Sequence, residues 1–295
     1  MSLDDEFAEF DAQRPKTKKE QAADLKHALA VIEREGFVVH KPEPAAEVVE
    51  FDTTRVKGDR VRIGIVSDTH AGSKYQQRTH LTEFMRYAAK VRKVDCFIHG
   101  GDATDGPFEA HRGAIHEMWT GTYDGQRDAF LSQYPDTGKT TYMISGNHDE
   151  FFLKNAGGDI VRDICDRRSD LAFIGNSQGY IRFGDVLVAV MHPHDGGAYA
   201  LSYKLQRRIE ALSPENKPNV LLLGNYHKAI HLPAYRNTEG FLLPSFQSQS
   251  AWMAAKGIAS IVGGIILEFG IATKGLAPSL MTEWVLYRET IESDW

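Results

Sequence analysis

The chain has 295 residues, which at roughly 150 residues per domain makes one large domain or two modest ones, enough for a sizeable core. Hydrophobic residues make up 42% and charged residues 25%, which excludes disordered and fibrous classes. The 34 Lys and Arg against 40 Asp and Glu leave a net charge of −6, the wrong sign for gripping a polyphosphate by bulk attraction, so any phosphate chemistry needs a local positive centre.

The chain opens Met1-Ser2-Leu3-Asp4-Asp5-Glu6, without the basic start and apolar run of a signal peptide, and a cytoplasmic location is expected. Residues 1–20 are polar and mixed in charge, and they read as a mobile arm. Leu25, Leu29 and Ile32 fall at i, i+4 and i+7, one helix stripe, with Gly36 placed to stop it. Phe37-Val38-Val39 suggests a short strand. Lys41-Pro42-Glu43-Pro44 breaks regular structure and begins a linker through Gly58. Residues 1–58 are therefore read as an N-terminal extension and 59–295 as the main domain. A helix docked on that domain suits 20–40 better than a DNA-contacting piece.

From Val61 short apolar runs alternate with helix-like stretches such as Leu81 to Val91 and Tyr199 to Leu212. Each run ends in a polar cluster. Val61 to Val66 runs into Ser67-Asp68-Thr69-His70, and Cys96 to His99 into Gly100-Gly101-Asp102. Thr141 to Ile144 precedes Ser145-Gly146-Asn147-His148-Asp149, Val186 to Met191 precedes His192-Pro193-His194, and Val220 to Leu223 precedes Gly224-Asn225-Tyr226-His227. The alternation indicates an α/β layered domain with buried strands, whose ligands gather beyond the strands' carboxyl ends. The longest uncharged apolar stretch, Gly257 to Leu267, is shorter than the roughly 20 residues a bilayer-spanning helix needs.

A single Asp-x-His in a loop is usually a turn or cap. Five strand ends that each deliver Asp, Asn or His point instead to oxygen and imidazole ligands for divalent metals. Cys96 and Cys165 are too few for a disulfide framework or thiolate cluster.

The ordered set Asp68-Thr69-His70, Gly101-Asp102, Gly146-Asn147-His148-Asp149, His192 and Gly224-x-x-His227, covering about residues 60–250, resembles the calcineurin-like metallophosphoesterase superfamily. The resemblance implies a four-layer αββα sandwich of two mixed β-sheets with a dinuclear metal site at the strand ends. It implies that Asp68, His70 and His227 bind one metal, that Asn147 and His192 bind the other, and that Asp102 bridges them. Manganese is expected foremost, with iron, zinc or nickel as alternatives. His148 is implied as a catalytic group oriented by Asp105. Two cations about 3.5–4 Å apart would clamp a phosphoryl group, and a metal-bridging hydroxide would attack it.

Three positions refine that reading. Gly106 stands where protein serine/threonine phosphatases carry Arg, which counts against that subgroup. His192 is preferred to His194 as ligand because it directly follows its strand; His194 is placed near the substrate. Asn225 replaces the family's histidine in Gly-His-x-His; its amide oxygen is a weaker donor than imidazole, so the second metal is expected to be held less firmly, by natural tuning or by an impairing change.

The insertion Pro107 to Gln133 offers His111, Arg112, His116, Trp119, Tyr123 and Arg127 as a lid or substrate wall, with a surface helical excursion as the plainer reading; His111 and Arg112 are the chosen substrate contacts. Ser245 to Ser250 is a polar stretch near the metals. The expected function is hydrolysis of a phosphate ester, a phosphodiester in a nucleotide or nucleic acid (a nuclease in the latter case), with no membrane partner. A phosphomonoesterase, or an impaired protein that only binds phosphate ligands, is the alternative.

Overall fold

The computed structural model describes residues 47–107, 113–213, 217–273 and 278–295. The helix expected at 20–40 and the substrate contacts expected at His111 and Arg112 lie outside them.

Twelve described strands form two six-stranded sheets. The first runs β1 (Val48–Glu50), β6 (Gln178–Phe183), β7 (Val186–Met191), β8 (Val220–Leu223), β10 (Thr238–Leu242) and β9 (Ile230–Tyr235). The second runs β12 (Leu280–Tyr287), β11 (Val262–Gly270), β2 (Arg60–Val66), β3 (Cys96–His99), β4 (Thr141–Ser145) and β5 (Leu171–Asn176). β2 through β5 pair in parallel, whereas β11 joins β2 and β12 antiparallel. The sheets are therefore mixed.

Strand periodicity builds the layers. In β2 the alternate residues Val61, Ile63 and Ile65 meet Val188, Val190, Leu222 and Phe241 of the other sheet in a fully buried inter-sheet core. Val66, Phe97 and Met143 face the opposite way, under helices α1 (Arg78–Lys90), α2 (Tyr123–Gln133) and α4 (Ile160–Asp166). On the other outer face α5 (Tyr203–Ala211) lays Leu205 and Ile209 on Ala189, Leu221 and Leu223. This is the αββα order expected. Two short helices, α3 (Glu150–Ala156) and α6 (Ala251–Ala255), flank the strand ends.

One boundary differs from the sequence reading. Residues 48–50, expected within a linker, pair in parallel with Tyr180, Ile181 and Arg182 and cover the edge of β6. Three residues are too few to show an alternation, so only their pairing partner marks them as a strand.

The last residues of the chain fasten α1. Its N-cap Gln77 makes no side-chain cap bond. Asp294 instead accepts from Thr79 N and Thr79 Oγ1, both at 2.7 Å, supplying an acceptor and a negative charge at the helix start from the far end of the sequence. His80 stacks on Tyr287 and reaches the Glu289 carbonyl at 2.9 Å. Asp294→Ala is expected to lower unfolding stability by about 1–2 kcal/mol in urea titrations at pH 7. An unchanged midpoint would show that the contact contributes nothing.

Candidate metal centre

The polar clusters lie side by side because β2, β3 and β4 are parallel neighbours and β7 and β8 are parallel in the facing sheet. Beyond the strands the loops stay zipped together: Asp68 N donates to Gly101 O, His70 N to Asp102 O, and Gly224 N to Met191 O. Asp68, His70, Asp102, Asn225 and His227 all have φ between +46° and +72°, the left-handed region seldom used outside glycine. These sharp turns aim their side chains back across the strand ends.

Three groups of ligand atoms lie within 4.8 Å of one another: Asp68, His70 and His227; His70, Asp102 and His148; Asp68, Asp102 and His192. His227 Nε2 is 3.1 Å from Asp68 Oδ1, and His192 Nε2 is 3.1 Å from Asp102 Oδ2 and 3.2 Å from Asn147 Oδ1. His192 is the histidine at the centre, with its side chain fully buried, whereas that of His194 is 39% exposed at the rim. The far nitrogens are held from behind, His192 Nδ1 by the Gly100 carbonyl at 2.7 Å and His227 Nδ1 by Ser260 Oγ at 3.2 Å, which directs Nε2 inward.

The residues fit divalent cations. His70 Nε2 is buried without a hydrogen-bond partner, 3.8 Å from Asp102 Oδ2, an arrangement a cation between them would satisfy. The electrostatics agree. Burial opposes charge on His70 and His192, yet the neighbouring carboxylates outweigh it and raise them to about 9 and about 10, Asp105 acting on His70 and Asp102 on His192. At neutral pH the carboxylates thus hold protons on imidazoles where cations would otherwise sit, and cation uptake must expel them.

Asp105 takes a different partner from the one expected. Its Oδ1 lies 2.8 Å from His70 Nδ1 and accepts from Gln247 Nε2 at 3.2 Å, while His148 Nδ1 stands 3.9 Å away. The Asp105 backbone carbonyl holds His148 Nδ1 instead. The loop comes that close because residue 106 is glycine: a Cβ there would lie 2.0 Å from the His148 carbonyl oxygen, at φ +44°. No arginine fits at this position without moving the His148 turn. His148 N also donates to Asp102 Oδ1 at 2.9 Å, and its side chain, 22% exposed, stands at the cavity edge.

Asn225 donates its backbone N–H to Asp68 Oδ1 at 3.1 Å and its side-chain amide to the Asp195 carbonyl at 2.9 Å. The structure thus brings Asp68, His70, Asp102, Asn147, His192 and His227 into one cluster and places the Asn225 amide against a loop beside it.

Several groups take roles in the structure that the sequence does not show. Asp149 accepts from Gly146 N, Ala103 N, Thr104 N and Thr104 Oγ1, binding the Asp102 loop to the Asn147 loop. Burial, and then the Asp102 charge, raise its carboxyl to about 6. His99 Nε2 lies 3.0 Å from Thr69 Oγ1, and burial lowers its imidazole to about 3, so it stays neutral. Arg127 and Tyr123, considered as substrate groups, are engaged with Asp163.

At the rim, burial works against charge on Glu150, but hydrogen bonds from His194, Ser177 and Lys154 bring it down to about 2 from 4.5. A carboxyl lower in the folded state adds stability that is fully present above about 4.5 and lost as pH falls through about 2. Urea midpoints are therefore expected to fall more steeply between pH 5 and pH 2 in the wild type than in Glu150→Gln. Parallel slopes would show that this network does not stabilise the charged form.

A sandwich of two mixed sheets with clustered Asp and His at the strand ends is the architecture of a metal-dependent phosphoesterase. The sequence model of the calcineurin-like phosphoesterase family matches residues 61–275, and the chain belongs to that family. Similar solved structures include a predicted phosphoesterase from Streptococcus pneumoniae, at 14% identity over 77% of this chain and 100% of that chain with a TM-score of 0.39. A zinc complex of Vps29 from Entamoeba histolytica is 14% identical over 77% of this chain and 99% of that one, TM-score 0.38. Vacuolar protein sorting 29 from Cryptosporidium parvum is 10% identical over 78% and 100%, TM-score 0.41. Comparison with curated proteins returns no match. Among the described residues no helix is long and apolar enough to cross a membrane.

Proposed function

We propose that the protein is a phosphodiesterase acting on a nucleotide or nucleic acid, with two divalent cations, manganese foremost, held by Asp68, His70 and His227 on one side and Asn147 and His192 on the other, and with Asp102 shared. The observation that supports the two-cation part of this reading is the buried cluster of overlapping ligand groups, in which Asp68, His70 and Asp102 each belong to two of the three and Asp102 Oδ2 lies 3.8 Å from His70 Nε2 and 3.1 Å from His192 Nε2. A carboxylate has two oxygens and can serve two cations at once. What such a pair of cations supplies when bound is neutralisation of the phosphoryl oxygens and a water acidic enough to attack at neutral pH.

The chain's own residues supply orientation and proton handling. Asp105 and Gln247 fix the His70 ring, and Asp149 holds the two ligand loops at one spacing. With its Nδ1–H donating to the Asp105 carbonyl, His148 uses Nε2 for the phosphoryl group, stabilising charge or protonating the departing oxygen. His194, bordering the cavity, contacts the substrate from the rim. Residues 1–58, apart from the strand at 48–50, are read as an extension of the domain.

A second reading has its own observation. With its amide on the Asp195 carbonyl, Asn225 leaves one metal position short of a strong donor, as in a protein that binds phosphate ligands with one cation and turns over slowly. Metal analysis with manganese-dependent hydrolysis of bis(4-nitrophenyl) phosphate and 4-nitrophenyl phosphate tests both readings. Faster diester hydrolysis supports the first, and faster monoester hydrolysis makes the enzyme a phosphomonoesterase. Binding of metal and phosphate without turnover supports the second, and absence of both metal and activity ends the hydrolase reading.

A further inference from the structure

The ligand cluster opens into a cavity of about 660 Å³, the size of sites that enclose a small organic molecule, roughly 300–1,000 Å³. A phosphoryl group at the cluster leaves most of it unfilled. Part of the remaining wall is apolar: Met118, Leu201, Trp252, Met253 and Ile258 line it.

That wall is held in place. Glu117 Oε1 accepts the Trp252 backbone N–H at 2.8 Å, joining the start of α6 to the 3₁₀ turn Ala114–Glu117, and Ser250 Oγ caps α6 by accepting from Met253 N at 3.3 Å. Met118 is buried, with its sulfur 3.6 Å from Gln126 Nε2, and forms a bridge with Ser73 on the loop after β2. The wall is thus tied to the same loops that carry the ligands.

Among the described lining residues, charge runs against a long polyanion. The lining includes Glu117 and Asp195, and the two lysines among its described residues are both engaged, Lys204 on Asp195 Oδ2 at 2.6 Å and Lys228 on the Ala259 carbonyl. A nucleic-acid strand is gripped through many cations along its phosphates, and the net charge of −6 adds none. A single nucleotide asks for an apolar surface beside one phosphate site, and Trp252, Met253 and Ile258 border the cavity that opens from the ligand cluster.

We propose that Met118, Trp252, Met253 and Ile258 form a nucleobase subsite, and that the centre acts on mononucleotide-sized phosphodiesters in preference to nucleic-acid strands. This rests on the phosphodiesterase reading above and adds to it a substrate size and the residues that select it.

The test pairs binding with turnover in the full-length, manganese-loaded protein. Calorimetry compares thymidine 5′-monophosphate, methyl phosphate and a 20-residue oligothymidylate. Hydrolysis compares thymidine 5′-(4-nitrophenyl) phosphate with methyl 4-nitrophenyl phosphate, which share a leaving group and differ only in the base-bearing part. The thymidyl compounds are expected to be favoured about tenfold or more in Kd and in kcat/KM, the scale of one base stacked on an aromatic ring. Trp252→Ala should remove that preference and leave the methyl compounds within about twofold, with Met253→Ala giving a smaller loss in the same direction. Circular dichroism melting establishes that both variants fold.

Equal affinity for thymidyl and methyl probes, or equal losses on both in Trp252→Ala, would overturn the subsite. Oligothymidylate binding more than about tenfold tighter than the mononucleotide, with steep salt dependence, would overturn the preference for small esters. Base-dependent binding that Trp252→Ala abolishes, in a protein that hydrolyses neither ester, would keep the subsite and remove the hydrolase reading.

Discussion

Asp102→Asn is expected to lower metal-dependent hydrolysis by roughly a thousandfold, equivalent to about 4 kcal/mol of transition-state stabilisation, and to reduce the metal bound at both positions. The carboxylate is buried between His70 and His192, and the charges of His192, His148 and His70 hold it ionised although burial opposes this. An amide offers one oxygen and no charge, so it can complete one coordination shell but not two. Asparagine preserves the shape: it tolerates the φ of +51° at this position, and its oxygen can still accept the His148 N–H. A large loss therefore reports ligand chemistry, not a collapsed loop. Metal content by mass spectrometry and hydrolysis of bis(4-nitrophenyl) phosphate check this, and a rate within tenfold of wild type would exclude a shared role for Asp102.

Asn225→His is expected to act in the opposite direction, raising affinity for the second cation by about 10–100-fold and the hydrolytic rate at limiting manganese with it. Asn225 has φ +72°, and His70 and His227 occupy the same left-handed region, so the backbone accepts imidazole. The N–H donated to Asp68 is unaffected, and the bond sacrificed is the one from the Asn225 amide to the Asp195 carbonyl. Metal stoichiometry titrated against free manganese, with rates at each concentration, is the measurement. Unchanged stoichiometry and rate would show that Asn225 is already an adequate ligand or that the position lies outside the coordination shell.

The clustering at the candidate site was legible because its chemistry repeats. One polar cluster beyond a strand is ordinary, but Asp68, Asp102, Asn147, His192 and His227 each follow an apolar run, and parallel neighbouring strands must bring such ends together. The layered fold was legible for the same reason, since continuous runs such as Val220 to Leu223 are what strands covered on both faces require. What escaped were partners distant in sequence. Nothing near Asp294 marks it as the cap of a helix at residue 78, nor Asp149 as the bond between two loops. Asp105 was tied to His148 by family pattern, yet distance decides, and His70 is nearer. The apolar wall was hidden because α6, Ala-Trp-Met-Ala-Ala, is shorter than the window in which a helical stripe can be seen.

The left-handed turns at Asp68, His70, Asp102, Asn225 and His227 bear on how the protein tolerates change. At on the order of 1 kcal/mol per residue, the five together approach the whole net stability of an ordinary domain, about 5–15 kcal/mol. Relaxed torsions at these positions would be favoured locally, and only the sheets and the zipped loops prevent them. A mildly weakened core should therefore first release the ligand loops while the sandwich persists, so that cation retention becomes the earliest casualty of mutation or heat. Variants far from the centre, in the inter-sheet layer, would then be recognised by losing their metals at temperatures where their secondary structure is still intact.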